Sequence, residues 1–218
     1  MLECPEALEA VDVSRTKTNR TAGKCEKELE KELENLFSLI VKNNMSELSA
    51  RQQFEEELRS KVRHCVQKSF FAGMDYVGIA TGVQPALQVQ DVMIMEQVTE
   101  EILNDFFTKV SQREWKNVEF VSDNMLQNQI NTIASSNMFR IINLATTSSM
   151  QALNAQGQVA QRDLVFTTED DINVCPVCYP YHDRIYSFDD EFKPELPIHP
   201  HCRCRYLVAD DQGNGIVG

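Results

Sequence analysis

Ala152-Leu153-Asn154-Ala155-Gln156-Gly157, followed within a few residues by Leu164-Val165-Phe166-Thr167-Thr168, is where this chain changes character. Up to Gly157 the apolar residues return at helical spacing. Beyond it they come in short β-branched and aromatic runs bounded by turn residues. The boundary decides the fold class. It predicts a mainly α chain, a helical bundle body, with a small α+β module at the C-terminal end.

Working towards the N-terminus, the stripe from Met138 to about Gln158 carries Ile141, Ile142, Ala145 and Leu153. Ala134-Ser135-Ser136-Asn137 reads as a weak break or kink. The helix before it carries Val118, Val121, Met125, Leu126, Ile130 and Ile133. An earlier one carries Val92, Met95, Val98, Ile102, Leu103, Phe106 and Val110, and begins after a break at Gln84-Pro85. Phe54, Leu58, Val62, Cys65, Val66 and Phe70 mark another, ending between Gly73 and Gly82. Its start is signalled either by Ser49 with Gln52, as a capping box, or by Ser46. The first helix carries Leu29, Leu33, Leu36, Phe37 and Ile40, and Asn43-Asn44 interrupts after it. These stripes read as bundle core, and no heptad is long enough to require a coiled coil. Residues 1–25, with the polar run Ser14 to Thr21, predict a flexible or extended arm. The organisation is therefore an arm over 1–25, a helical domain over 26–160, a C-terminal module over 161–210 and a frayed tail over 211–218.

Working towards the C-terminus, Arg184 to Phe188 and Arg205 to Val208 are two further β-prone pieces. Five of the seven prolines lie between Pro176 and Pro200, which excludes a long helix there. So short a segment cannot build a core unaided and needs a staple. The chain supplies one. Cys175-Pro176-Val177-Cys178 is followed, twenty residues later, by His199-Pro200-His201-Cys202-Arg203-Cys204, and four of the seven cysteines fall here. Zn²⁺ takes four thiolate or imidazole ligands in a tetrahedron. The Cys-x-x-Cys turn, stiffened by Pro176, brings two sulfurs to one face, and the distant run supplies the other half. Cys175, Cys178 and Cys202 are expected to bind one structural zinc ion, with Cys204 or His199 as the fourth ligand. If Cys204 binds, His199 can support the site by a hydrogen bond.

Rival readings use the same residues. A pair of disulfides would suit an assembled particle outside the cell. A redox Cys-x-x-Cys wants a βαβ context that is missing here. A catalytic zinc needs an open place and a base. His182-Asp183 could supply the base of a zinc-supported nuclease, but His182 reads better as a solvated loop residue. Cys4, Cys25 and Cys65 show no chemical role, and Cys65 falls on an apolar helical face.

Charge narrows the partners. The net charge is −12 and the pI about 4.8, whereas proteins that grip nucleic acid broadly are usually basic. From Gln161 to Gly218, five basic residues face eleven acidic ones. An acidic finger binds phosphate poorly. Arg203 and Arg205 leave room for a weak local contact with DNA, though nearby acids are their better partners. The composition, 42% hydrophobic and 25% charged, is ordinary for a globular protein. No run is long and apolar enough for a membrane span. Met1-Leu2-Glu3-Cys4-Pro5-Glu6 lacks the features of a secretory signal, so the expectation is synthesis in the cytoplasm, with reduced cysteines.

The string Asp171 … Val174-Cys175-Pro176-Val177-Cys178 … Arg184-Ile185-Tyr186 … Pro197-Ile198-His199-Pro200-His201-Cys202-Arg203-Cys204 resembles the C-terminal signature of tailed-phage minor head proteins. This is the head-morphogenesis family typified by the F protein of phage Mu. Ser149 to Gly157 resembles the helix leading into the signature, and Phe166-Thr167-Thr168 to Asp171 its strand and acidic turn. The specific resemblance covers about residues 145–208. Ala72-Gly73 and Gly78 to Gly82 loosely resemble the family's helical part. One departure is Asp183, where the family often has Gly; Asp tolerates turn conformations. The resemblance implies a minor structural protein of the virion head, made in the host cytoplasm and not an enzyme. It implies association with portal, major capsid or scaffold protein, an oligomeric setting in the particle, no membrane, and a part in assembly, DNA packaging or delivery. The alternatives are a zinc-supported nuclease, with His182 as base, and a zinc-containing adaptor protein.

Overall fold

The apolar stripes become four long helices among the described residues: α1 (Pro5–Lys42), α2 (Glu47–Thr81), α3 (Val89–Ser111) and α4 (Asp123–Ala155). They are seen in a computed structural model that describes residues 5–111, 123–159, 162–168, 175–188, 190–210 and 212–216. Val118 and Val121 of the predicted stripes lie outside the described residues, as do Cys4, Asp171 and Val174.

Each helix boundary has a local cause. Asn43-Asn44 does interrupt, with Asn44 at φ 48°. Ser46 rather than Ser49 caps α2, its hydroxyl accepting from Ser49 N at 3.2 Å, which satisfies an otherwise orphan donor. Gly82 ends α2 in the left-handed region at φ 72°, a conformation glycine adopts without a Cβ penalty.

Two expectations are corrected in the helical body. The arm over 1–25 is helical from Pro5. Thr18, Ala22 and Cys25 are buried and continue the line of Leu29, Leu33, Leu36 and Ile40 backwards. This stretch of stripe is built from small and polar residues, so hydropathy does not show it. The hydroxyl of Thr18 donates to the Ala72 carbonyl of α2 at 3.3 Å. The predicted break at Ala134-Ser135-Ser136-Asn137 is absent, and α4 runs through it. Ala134 and Ser135 are buried, and Asn137 Nδ2 donates to the Ile133 carbonyl one turn back at 2.8 Å. Packing and backbone-directed side-chain bonds outweigh weak helix propensity here.

The main core joins all four helices through residues such as Leu33, Phe70, Ile102, Phe106 and Ile141. α2 and α4 approach closely at Gly73, where an added Cβ would stand 2.7 Å from Ala145 Cβ and 2.9 Å from the Ile142 carbonyl oxygen. Gly73→Ala should therefore destabilise. Ala gains about 1 kcal/mol in helix propensity, but overpacking a tight core costs about 1–3 kcal/mol, and a backbone carbonyl cannot swing aside. A net loss of up to about 2 kcal/mol is expected in urea unfolding. Ion pairs such as Arg63 with both Glu96 oxygens, at 2.9 Å each, and Lys61 with Glu32 at 2.6 Å tie α2 to α3 and α1. They are solvated, so each contributes little to stability.

After α4 come three strands: β1 (Leu164–Thr167), β2 (Ile185–Tyr186) and β3 (Arg205–Val208), with a 3-10 turn at Tyr179–Tyr181. They form an antiparallel sheet in the order β2-β1-β3, with Phe166 opposite Tyr206 and Leu164 opposite both Tyr186 and Val208. The three β-prone pieces of the sequence are these strands.

The sheet does not close a core by itself. A second cluster combines Leu164, Phe166, Tyr206 and Val208 with Tyr76, Val77 and Ala80 of α2 and Met150 and Leu153 of α4. Tyr76 OH accepts from Val208 N at 3.1 Å and donates to the Ile216 carbonyl at 3.4 Å. The ends of two bundle helices thus supply the apolar surface that so short a module lacks. The frayed tail is corrected over residues 212–216. Asp210 accepts from Gln212 N and Asn214 N at 2.9 and 2.7 Å, and Ile216 is buried with its N–H on the Val208 carbonyl at 2.7 Å.

Candidate metal centre

The Cys-x-x-Cys turn is built by its own backbone. Cys178 N and Tyr179 N both donate to the Cys175 carbonyl at 3.0 Å. Val177 N lies 3.4 Å from Cys175 Sγ, pointing a donor at the sulfur. The turn passes into the 3-10 segment, whose Tyr181 packs on Phe166 of β1 with ring centroids 5.7 Å apart. The second half begins in a turn closed by Cys202 N on the His199 carbonyl at 3.1 Å and runs straight into β3. Pairing of β3 with β1 therefore brings the two halves together.

All five expected ligands converge. Ligand atoms of Cys175, Cys178 and His199 lie within 4.8 Å of one another, and so do those of Cys178, Cys202 and Cys204. Cys178 belongs to both groups. Its sulfur is 3.0 Å from His199 Nε2 and 3.9 Å from Cys202 Sγ. Cys178, Cys202 and Cys204 are buried, while Cys175 is partly open. These groups could hold a metal ion. His199 Nδ1 faces the Pro200 carbonyl at 2.7 Å. A carbonyl only accepts, so Nδ1 carries the proton and the neutral ring keeps its Nε2 lone pair towards Cys178. That is the tautomer a ligand needs.

The thiols already contest one another's protons. Burial pushes Cys178 up to about 12. Cys202 is pulled down to about 5 by its hydrogen bond with Cys204, and that bond pushes Cys204 upward. A buried thiol whose ionisation is favoured by neighbouring thiols and by the backbone of Ile198 and Cys204 is a ready place for a thiophilic cation. The chemistry of the donor set, several thiols and one imidazole in a largely dry pocket, suits zinc.

The sequence reading misses what holds this centre against the bundle. Asn143, buried on α4, donates Nδ2 to the Cys204 carbonyl at 3.1 Å and accepts from Tyr206 N at 2.9 Å. Ser136 Oγ accepts from His201 N at 3.2 Å, and Thr132 Oγ1 meets His201 Nε2 at 2.9 Å. A polar residue between Ile142 and Leu144, on a helix otherwise striped with apolar side chains, is the signal that could have found Asn143. The small polar run of α4 is thus a docking face for the ligand loop.

Two smaller expectations are revised. His182 is no merely solvated loop residue: its Nδ1 accepts from Thr168 N at 3.2 Å, and Nε2 faces Asp183 at 3.5 Å. It fixes the end of β1. Arg205 is buried and donates to Asn19 of α1 at 2.7 Å, so it is not presented to a phosphate. Asp183 sits at φ 60°, in the left-handed region that favours glycine. This is the physical reason a glycine suits the position, and Asp fills it as one of the few residues that tolerate it.

The model of the family described as Phage Mu protein F like protein matches residues 84–207. That span starts well before the stretch in which the specific resemblance lies, so it takes in α3 and α4 as well as the metal centre. The glycines from Gly73 to Gly82 fall outside it. No curated protein and no solved structure matches the chain.

Proposed function

The chain belongs to the family of phage Mu protein F-like head-morphogenesis proteins, and from that premise we propose that it is a minor, non-enzymatic structural protein of a tailed-phage head. In this reading it acts in head assembly beside the portal or the inner capsid. Zinc, one ion held by Cys175, Cys178, Cys202 and either His199 or Cys204, locks its C-terminal end.

The observation that carries the structural rather than catalytic reading is the docking of the ligand loop. Five donors form two overlapping groups that share Cys178, and the loop that bears three of them is bonded through Asn143, Ser136 and Thr132 to α4. A catalytic zinc keeps a place open for water or substrate; a site so supplied with protein donors favours a closed staple. His182 is bonded to Thr168, a positioning role that accounts for it without catalysis. The acidic balance favours protein partners over DNA, and among the described residues no helix is long and apolar enough to cross a membrane.

The test is co-sedimentation from phage-producing cells. The protein should travel with heads, in low copy, and cross-link to portal or capsid subunits. Finding it only in the soluble fraction, or finding a metal-dependent DNA cleavage that His182→Ala abolishes, would overturn the reading.

A further inference from the structure

Away from the C-terminal centre, two more cysteines meet across the bundle. Cys25 on α1 and Cys65 on α2 are both buried, and their sulfurs stand within 4.8 Å of each other. Glu28 stands one turn beyond Cys25 on the same face of α1. Its carboxylate and the two sulfurs all lie within 4.8 Å of one another. A buried cysteine is ordinarily a small hydrophobe. Two facing cysteines overlaid by a carboxylate are different, because the carboxylate opposes ionisation of the thiols unless a cation comes between them.

We propose that Cys25, Cys65 and Glu28 form a second metal site, which takes a thiophilic divalent cation such as Zn²⁺ and fastens α1 to α2. Two thiolates and one carboxylate are an accepted donor set for such an ion. Glu28 is exposed while both sulfurs are buried, so the fourth place lies on the solvent side and is open to water. Charge also balances. Three anionic donors around a divalent ion leave one negative charge, and Lys68 lies close enough to act on both thiols. The site would fix the part of α1 where Thr18 and Ala22 take the buried line that Leu29, Leu33 and Ile40 hold further along.

The test uses the full chain, purified under reducing conditions, saturated with Zn²⁺ and passed over a desalting column before elemental analysis. The wild type should retain about two zinc ions per chain, and the Cys25→Ser/Cys65→Ser variant about one. Glu28→Gln, at an exposed position that leaves the fold intact, should weaken one of the two sites by about tenfold or more while the other is unchanged. Should the double variant fail to fold, Glu28→Gln decides alone. Equal zinc content in wild type and both variants overturns the site. So does a wild type in which Cys25 and Cys65 are recovered as a disulfide while zinc binds elsewhere. Cys178→Ser, which removes the other centre, shows which ion is which.

Discussion

Cys178→Ser is expected to strip the C-terminal centre of metal and to lower the melting temperature by about 10–20 °C. Cys178 is the sulfur common to both ligand groups, so no pairing of the remaining donors rebuilds a site with the same geometry. Zinc-finger peptides draw apparent metal-binding energies of about 10–16 kcal/mol into folding. Here part of that is replaced by the bundle, because Tyr76, Val77, Met150 and Leu153 already bury the sheet. An effect on the order of 5 kcal/mol is the reasonable middle, and for a chain of this size it corresponds to the stated shift. Chelation of the wild type should reproduce most of it. Acid should act in the same direction. The metal-bound form holds thiolates and a neutral imidazole, and each ligand released by the metal takes up a proton. Metal-dependent stability is therefore lost as pH falls, the more readily because burial favours the protonated thiol of Cys178. His199→Ala and Cys204→Ser, compared side by side, identify the fourth ligand as the one whose loss releases the ion. Retention of metal and of melting temperature in Cys178→Ser would remove the staple.

The convergence of the cysteines and His199 was legible because metal chemistry restricts both residue type and spacing, and few other demands place Cys-x-x-Cys before a distant Cys-x-Cys. The helices after Asn43 were legible for a similar reason, since Leu, Ile and Phe at helical spacing have few other uses. The rest failed where burial is achieved by small or polar residues. Thr18, Ala22 and Cys25 are as buried as leucines but give no stripe. Ala134 to Asn137 look like a loop because Ser and Asn favour turns, yet in place they serve two ends. Asn137 bonds within its own helix, and Ser136 receives the ligand loop. The division of the chain at Gly157 marks a change of secondary structure correctly. It does not mark a break in the core, because apolar side chains before and after it pack into one cluster.

Asn143 is the residue on which that continuity depends, and Asn143→Leu should cost about 3–4 kcal/mol. The substitution keeps the volume and adds apolar surface, so a purely hydrophobic account predicts little change or a gain. The hydrogen bonds argue otherwise. Asn143 accepts from Tyr206 N and donates to the carbonyls of Cys204 and Phe139, at 2.9, 3.1 and 3.0 Å, in a place no water reaches freely. Phe139 keeps its helical partner, but Tyr206 N, although Tyr206 lies opposite Phe166 of β1, and the Cys204 carbonyl just before β3 both turn to Asn143. Leaving a buried donor and acceptor unpaired costs about 1–3 kcal/mol each. Asn143→Asp probes the donor: ionised, it keeps an acceptor for Tyr206 N but sets a charge against the Cys204 carbonyl, whereas protonated at acid pH its O–H can donate to that carbonyl, so its deficit relative to wild type should shrink as pH falls. The consequence reaches the metal. Cys204 is both the residue Asn143 holds and a candidate ligand, so loosening its backbone should speed release of zinc to a chelator, even where the ion's ligands are all intact. A double-mutant cycle between Asn143→Leu and Cys178→Ser should then be non-additive, with the second substitution costing less once the first is made. Simple additivity would mean that helix and metal hold this end of the chain independently, and that α4 is a neighbour of the centre rather than part of it.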